Sequence, residues 1–224
     1  MKQVSTKALH QWNVQPEEAM ALQAKLAQQV IRKARFSRRN MTTVAGIDTA
    51  YHQYRACAAV VVINLKDLKI MEKVVAVHSS RFPYIPGLLS FREGPAIIEA
   101  LSCLKKAPHV LMFDGHGVAH PRRCGLASHI GLLTDIPAIG CAKKRLIGEY
   151  QEPSRNRGST ADLTDADETI GAVVRTRTGI KPVFVSIGHR MDLDTCIRVV
   201  LDSCRGYRLP EPLRRADRLS KEIL

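Results

Sequence analysis

The stretch PHVLMFDGHGVAHPRR, residues 108–123, holds the densest set of side chains able to do chemistry. Val110, Leu111, Met112 and Phe113 run directly into Asp114, and Gly115, His116, Gly117, His120, Pro121, Arg122 and Arg123 follow. A short continuous apolar run bounded by turn residues reads as a strand buried on both faces. Ligand crevices in α/β sheets open outside the carboxyl ends of such strands, so a carboxylate there, followed by glycines and cations, is placed to build a site. Asp114 is therefore a candidate metal ligand. His116 and His120 are four apart, as in a helical metal site, but Gly117 and Pro121 break the helix that this spacing needs.

The elements that must position Asp114 and any partners follow from periodicity and turn signals. A first helix is expected over residues 16–35, with Pro16 at its first position, Glu17 and Glu18 at the positive end of its dipole, and an apolar stripe through Leu22, Leu26 and Val30. Residues 42–51, 55–64 and 68–78 read as three strands rich in β-branched residues. Their short connections make them antiparallel neighbours, because a parallel pair needs a crossover of about a dozen residues or more. In residues 79–90 prolines 83 and 86 frame Tyr84 and Ile85, so the loop presents Tyr84 rigidly. A helix is expected within 91–106. Ser90 and Glu93 have capping-box spacing. Pro95, however, fits best at the first helical position, which leaves Glu93 just outside the helix and free to act.

Beyond Asp114 the pattern gives a helix over 125–135, a strand over 137–142 followed by Lys143, Lys144 and Arg145, and a polar excursion or long loop over 150–168. Two strands over 169–178 and 182–188 form a hairpin around Gly179, a helix over 192–204 has Asp192 as its cap, and the basic tail ends in a short helix carrying Asp217. No repeat or Gly/Ser-rich linker divides the chain, so residues 1–224 are expected to form a single domain.

Thirty-four basic residues against 21 acidic ones give a net charge of +13, which favours a polyanionic partner such as nucleic acid. The six cysteines form no CxxC pair and read as free buried thiols in a reducing compartment, which excludes a disulfide scaffold and a zinc cluster. No signal core or membrane-length apolar run is present, so the expected location is cytoplasmic, with no membrane partner. Nothing in the composition demands a partner subunit, and a monomer is expected.

The predicted order is three antiparallel strands, helix, strand, helix, strand. Acids fall on the first strand (Asp48), at the following helix (Glu93), at the end of the fourth strand (Asp114) and on the last helix (Asp217). This arrangement resembles the ribonuclease H-like superfamily: an α/β fold with a mixed central sheet, three antiparallel strands then parallel strands, flanked by helices. The sequences VAGIDTAY, PYIPGLLSFREGP, DGHGVAHPRRCGLASHIG, AKKRL and GYRLPEPLRRAD, spread over 44–217, resemble more closely the endonuclease V family of deoxyinosine-specific repair nucleases. The resemblance implies that Asp48, Glu93, Asp114 and Asp217 hold Mg²⁺, with Mn²⁺ as a substitute. Some family members carry His at the position of Asp217. It also implies that His120 lies near the scissile phosphate, that Lys143 neutralises that phosphate, and that Tyr84 wedges into the duplex. Gly87, Leu89, Gly115, Gly125 and Leu126 match positions lining a pocket for the extruded hypoxanthine.

The chemistry is consistent with that assignment. Phosphodiester hydrolysis needs an activated water and a stabilised leaving oxygen, which two metal ions about 3.5–4 Å apart supply. Mg²⁺ prefers oxygen ligands, and an acidic set suits it. The expected function is hydrolysis of the second phosphodiester 3′ to deoxyinosine in DNA, leaving 3′-hydroxyl and 5′-phosphate ends. The alternatives are an endoribonuclease for inosine-containing RNA and a module that binds inosine without cutting. Any of these partners makes phosphate contacts dominate affinity. The logarithm of the binding constant for duplex DNA should therefore fall linearly with that of salt, by about 0.9 per phosphate neutralised; a slope near zero in a salt titration contradicts a phosphate-dominated partner.

Overall fold

The computed structural model describes residues 3–223; Met1, Lys2 and Leu224 lie outside the described residues. Strands β1 (Thr43–His52), β2 (Arg55–Asn64) and β3 (Ile70–Ser79) form the expected antiparallel meander. β2 is buried along nearly all its length because both its faces are covered. Ala56, Ala58, Val60 and Val62 pack under helix α2 (Leu89–Ser102), while Val61 and Ile63 pack under helix α5 (Glu211–Glu222). Strand β4 (Val110–Phe113) then pairs parallel to β1, with Ile47 level with Phe113, and β5 (Ala138–Ala142) pairs parallel to β4.

Strand β8 (Val183–His189) extends the sheet antiparallel to β5, followed by β7 (Glu168–Val174) and β6 (Thr160–Asp165). The order is β3-β2-β1-β4-β5-β8-β7-β6. The mixed α/β sheet and the hairpin around Gly179 match the expectation. α2 and α3 (Leu126–Thr134) cover one face, with α1 (Pro16–Ala27) packed against α3; α4 (Leu193–Asp202) and α5 cover the other. Asp192 caps α4 as expected, accepting the Thr195 amide at 2.8 Å. Among the described residues no helix is long and apolar enough to cross a membrane.

Several boundaries differ from the sequence reading, each for a tertiary reason. α1 stops at Ala27 instead of running to residue 35. The Ile31 amide donates to His189 Nδ1, the Ile31 carbonyl accepts from the Arg190 amide, and the Arg35 amide donates to the Arg190 carbonyl. The His189 ring and the Arg190 backbone, at the end of β8, replace partners that a longer helix would supply. α2 begins at Leu89, so Pro95 and Glu93 lie inside the helix and not at its edge. Ser90 forms no capping box; its hydroxyl bonds the buried His129 ring at 3.0 Å. Burial of Phe91, Ala96, Ile97, Ala100 and Leu101 holds the helix together across a proline that removes one of its hydrogen bonds.

The 150–168 segment is no structureless loop. It contains β6, which reads as polar because it is the sheet edge and only Leu163 in it is buried. The expectation of buried thiols holds for Cys57, Cys124, Cys141 and Cys196; Cys103 is exposed and Cys204 half-buried.

Side chains alternate across β1. Ala45 and Ile47 join the core under α2 and α3, whereas Val44 joins the core under α5. At Gly46 the backbone of α5 approaches so closely that an added Cβ would run into the Pro212 carbonyl group. That contact fixes how α5, with Asp217, sits over β1. Gly46→Ala should therefore cost about 1–3 kcal/mol through overpacking and lower the melting temperature by about 3 °C or more. An unshifted thermal unfolding curve would show that α5 docks elsewhere.

Candidate active site at the ends of the central strands

The pairing of β1 with β4 brings Asp48 and Asp114 together. The Asp114 amide donates to the Ile47 carbonyl at 3.2 Å, extending the ladder one residue past β4 and setting the Asp114 carboxylate beside Asp48. α5 lays Asp217 against the pair. Carboxylate oxygens of Asp48, Asp114 and Asp217 all lie within 4.8 Å of one another. Lys143, one residue past β5, enters the same space; its Nζ is 2.5 Å from Asp114 Oδ2 and 3.5 Å from Asp217 Oδ1. Ser220, one turn beyond Asp217 on α5, donates to Asp48 Oδ2 at 3.0 Å.

The charges in this cluster oppose one another. Burial, with Asp114 and Asp217 nearby, raises Asp48 to about 6 despite the Ser220 bond. Burial pushes Asp217 up, but Lys221 and Lys143 outweigh it and hold this carboxyl below its ordinary value. Burial alone would lower the Lys143 ammonium; Asp114, Asp217 and Asp48 raise it above its ordinary value. Three crowded carboxylates offer oxygen ligands alone, the set that a hard divalent cation takes. The residues present fit such an ion.

Glu93 lies outside this compact trio. Thr49 and Tyr51 share the face of β1 that α2 covers, opposite to Asp48, so Glu93 approaches the strand ends from the far side of the sheet. It remains within electrostatic reach: burial first, then Asp48 and Asp114, push it up to about 8. The Thr49 and Tyr51 hydroxyls approach its carboxyl and oppose that rise. The Arg92 guanidinium stacks on the Tyr51 ring, 4.4 Å from its centroid.

A cleft of about 340 Å³ opens next to Asp114 and Lys143, within the range of small-molecule pockets. Gly87, Leu89, Gly115, Gly125 and Leu126, the five residues that the resemblance implied for a base pocket, all line it, and so does Tyr84, the implied wedge. Tyr84 stands at 68% exposure instead of packing down on the sheet. Gly87 has φ +83°, a conformation that favours glycine, and its carbonyl turns inward to three donors. These are Gln23 Nε2 at 3.0 Å, His120 Nε2 at 2.8 Å and Arg122 Nη2 at 3.0 Å.

The Arg122 amide donates to His120 Nδ1, so Nε2 carries the ring proton and both nitrogens are engaged. Burial lowers the His120 ring to about 4, leaving it neutral. His116 Nε2 contacts the Lys144 carbonyl at 3.0 Å and ties together two loops that line the cleft. His129 is buried between Ser90 and His10.

Sequence reasoning missed Gln23, Ser220 and Lys221. Gln23 is a fully buried amide on α1 that binds both Gly87 and Cys124 carbonyls and accepts from Arg122. A polar residue within an apolar stripe was the available signal. Ser220 and Lys221, three and four residues past Asp217, share its helix face.

The profile of the endonuclease V family matches residues 24–218. An endonuclease V from Methanothrix thermoacetophila is 51% identical over 215 residues, covering 96% of this chain and 94% of the relative. The crystal structure of endonuclease V from Streptomyces avermitilis superimposes with a TM-score of 0.91 at 42% identity, covering 99% of this chain and 97% of that one. Ciona intestinalis endonuclease V, solved with a 23mer DNA containing an inosine followed by a ribo-adenosine, superimposes with a TM-score of 0.83 at 27% identity, covering 94% and 98%.

The raised carboxyls make stability depend on pH. Folded Glu93, at about 8 against an ordinary 4.5, binds more protons than unfolded Glu93 between those values. Its favourable contribution is complete below about pH 4.5 and is lost as pH rises through about 8. Buried His120, lowered to about 4, acts in the opposite direction, but only below its ordinary 6.5. In chelator, the melting temperature should therefore fall between about pH 6.5 and 8.5, and Glu93→Gln should flatten that fall. An equally steep fall in the variant would locate the proton elsewhere.

Proposed function

The chain belongs to the endonuclease V family, nucleases that act on phosphodiester bonds, and we propose that it cuts DNA beside deoxyinosine. The observation that carries this reading is the adjacency of two features: a base-sized cleft and a trio of carboxylates share Asp114 as a common wall. A base turned out of the stack into the cleft leaves its 3′ phosphates over the acids. This fits hydrolysis of the second phosphodiester 3′ to the lesion, leaving 3′-hydroxyl and 5′-phosphate ends.

Asp48, Asp114 and Asp217 would hold Mg²⁺, with Mn²⁺ as a substitute, and Glu93 would complete the set from the α2 side. A divalent ion bound there supplies an activated water and neutralises charge on the leaving oxygen. Ser220 orients the Asp48 carboxylate, and Lys221 holds Asp217 ionised. Lys143 keeps a positive charge beside Asp114, where the ammonium can turn from carboxylate to phosphate oxygen as the strand arrives.

With both nitrogens engaged, neutral His120 moves no proton in this arrangement; it fixes the Gly87 carbonyl and so the wall of the cleft. Gly115, Gly125, Leu89 and Leu126 give the base a shallow, mostly apolar seat. Tyr84, at the mouth, fills the gap left in the duplex at an unstacking cost of a few kcal/mol.

A second reading, inosine-containing RNA as the substrate, is favoured by the ribo-adenosine that follows inosine in the strand bound to the Ciona intestinalis relative. Matched DNA and RNA oligonucleotides separate the two. The direct test is a labelled duplex with one deoxyinosine, incubated with and without Mg²⁺. A metal-dependent nick two phosphodiesters 3′ to the lesion is expected, and an inert lesion-bearing duplex sinks the proposal. Asp114→Ala should lower the cutting rate by about 100-fold or more while sparing binding. Tyr84→Ala should weaken lesion binding by about 10- to 100-fold, the worth of one base–aromatic stack.

A further inference from the structure

Past Lys143 the active-site end of the sheet carries a second charged feature that the acids and the cleft do not use. β8 runs antiparallel to β5, with Phe184 level with Ala142, so the turn between β7 and β8 lies at the same end of the sheet as Lys143. The Arg208 guanidinium joins the two, donating to the Lys143 carbonyl at 2.6 Å and to the Pro182 carbonyl at 2.8 Å.

On this turn and the loops knitted to it stand Arg155, Arg157, Arg177, Lys181 and Arg205, all exposed. The Gly179 amide donates to the Arg155 carbonyl at 3.0 Å, the Arg157 amide to Thr178 Oγ1 at 3.1 Å, and Arg157 Nη2 to the Leu201 carbonyl at 2.8 Å. Nearby carboxylates are already committed: Glu152 pairs with the buried Arg175 and Asp202 with Arg38. Among the described residues none of the five cations has an ion-pair partner. The three loops turn at Gly158, Gly179 and Gly206, where nothing lies within 4 Å of an added Cβ, so the surface around them is open.

We propose that Arg155, Arg157, Arg177, Lys181 and Arg205 form a platform for the phosphate backbone of duplex DNA flanking the cut, a contact surface separate from the base cleft. Strand spacing places β8 and β7 about 10–14 Å from β4, or three to four nucleotide steps at about 3.4 Å each. A duplex whose scissile phosphate lies over the acids therefore reaches the platform within half a helical turn. Exposed, unpaired guanidinium and ammonium groups on rigid turns are suited to backbone phosphates and carry no base readout. The platform adds affinity for undamaged flanking DNA without adding selectivity for the lesion.

The proposal rests on reading the acidic site as a nuclease. Its test uses the full chain with Arg155→Gln, Arg177→Gln and Lys181→Gln combined, leaving Arg157, which bonds Leu201, in place. Binding is measured in chelator across a salt series, on an undamaged duplex and on inosine duplexes of increasing length. The expected result is a salt slope smaller by up to about 0.9 per lost phosphate contact and loss of the affinity that wild type gains from longer flanks. The rate of cutting a short inosine duplex at saturation should be unchanged.

A charge-conserving set, Arg155→Lys, Arg177→Lys and Lys181→Arg, should keep the wild-type slope. An unchanged slope in the Gln variant overturns the platform, as does equal loss in the charge-conserving set, which would trace the effect to loop shape. If wild type fails to nick inosine duplexes, the nuclease reading fails while the slope on undamaged duplex still decides the platform.

Discussion

The parallel pairing of β1 with β4 is the constraint on which the rest of the site depends. It sets two acidic residues, distant in sequence, side by side where the end of β4 meets the middle of β1. Every other part of the site is placed relative to that pair. α5 can bring Asp217 to it only because Gly46 lets the helix backbone lie directly on β1. β5, on the far side of β4, delivers Lys143 to the same point. Hydrophobic burial on both faces of β1, β2 and β4 holds this geometry against the mutual repulsion of the carboxylates.

That repulsion is itself informative. A structural salt bridge would pair charges one to one, and the protein does so elsewhere, as where Arg38 binds Asp202 and Arg175 binds Glu152. In the acidic cluster Lys143 bridges Asp114 and Asp217 and Lys221 pairs with Asp217, while Asp48 has no cation paired to it among the described residues, and Asp48 and Glu93 are both raised well above ordinary carboxyl values. Such crowding persists where a cation and a polyanion are to be received.

The cleft is organised by hydrogen bonds to backbone, not by charge. Gln23 from α1, His120 and Arg122 converge on the Gly87 carbonyl, so the loop presenting Tyr84 is braced from two directions. A rigid loop lowers the conformational cost of presenting an exposed aromatic ring. The cations are distributed unevenly: many are paired with carboxylates, while the turns near Lys143 carry cations with no such partner among the described residues.

The sequence by itself determined the α/β class and the strands other than β6, because turn chemistry, β-branched runs and the acid at the end of VLMF are local signals; the residues of the cleft were implied by the family resemblance alone. It also carried the family likeness through contiguous runs such as DGHGVAHPRR. Tertiary structure alone decided what depends on contacts between distant segments. α1 ends early because Ile31 and Arg35 find partners on the His189 ring and the Arg190 backbone. Glu93 lies inside a helix across Pro95 because Ser90 is spent on His129 and the apolar face of α2 is buried. β6 hides in a polar segment because an edge strand needs little hydrophobicity. The division of the four acids into a trio and a more distant Glu93 follows from side-chain alternation along β1, which sends Asp48 and Tyr51 to opposite faces; that separation becomes visible only once the helices are docked.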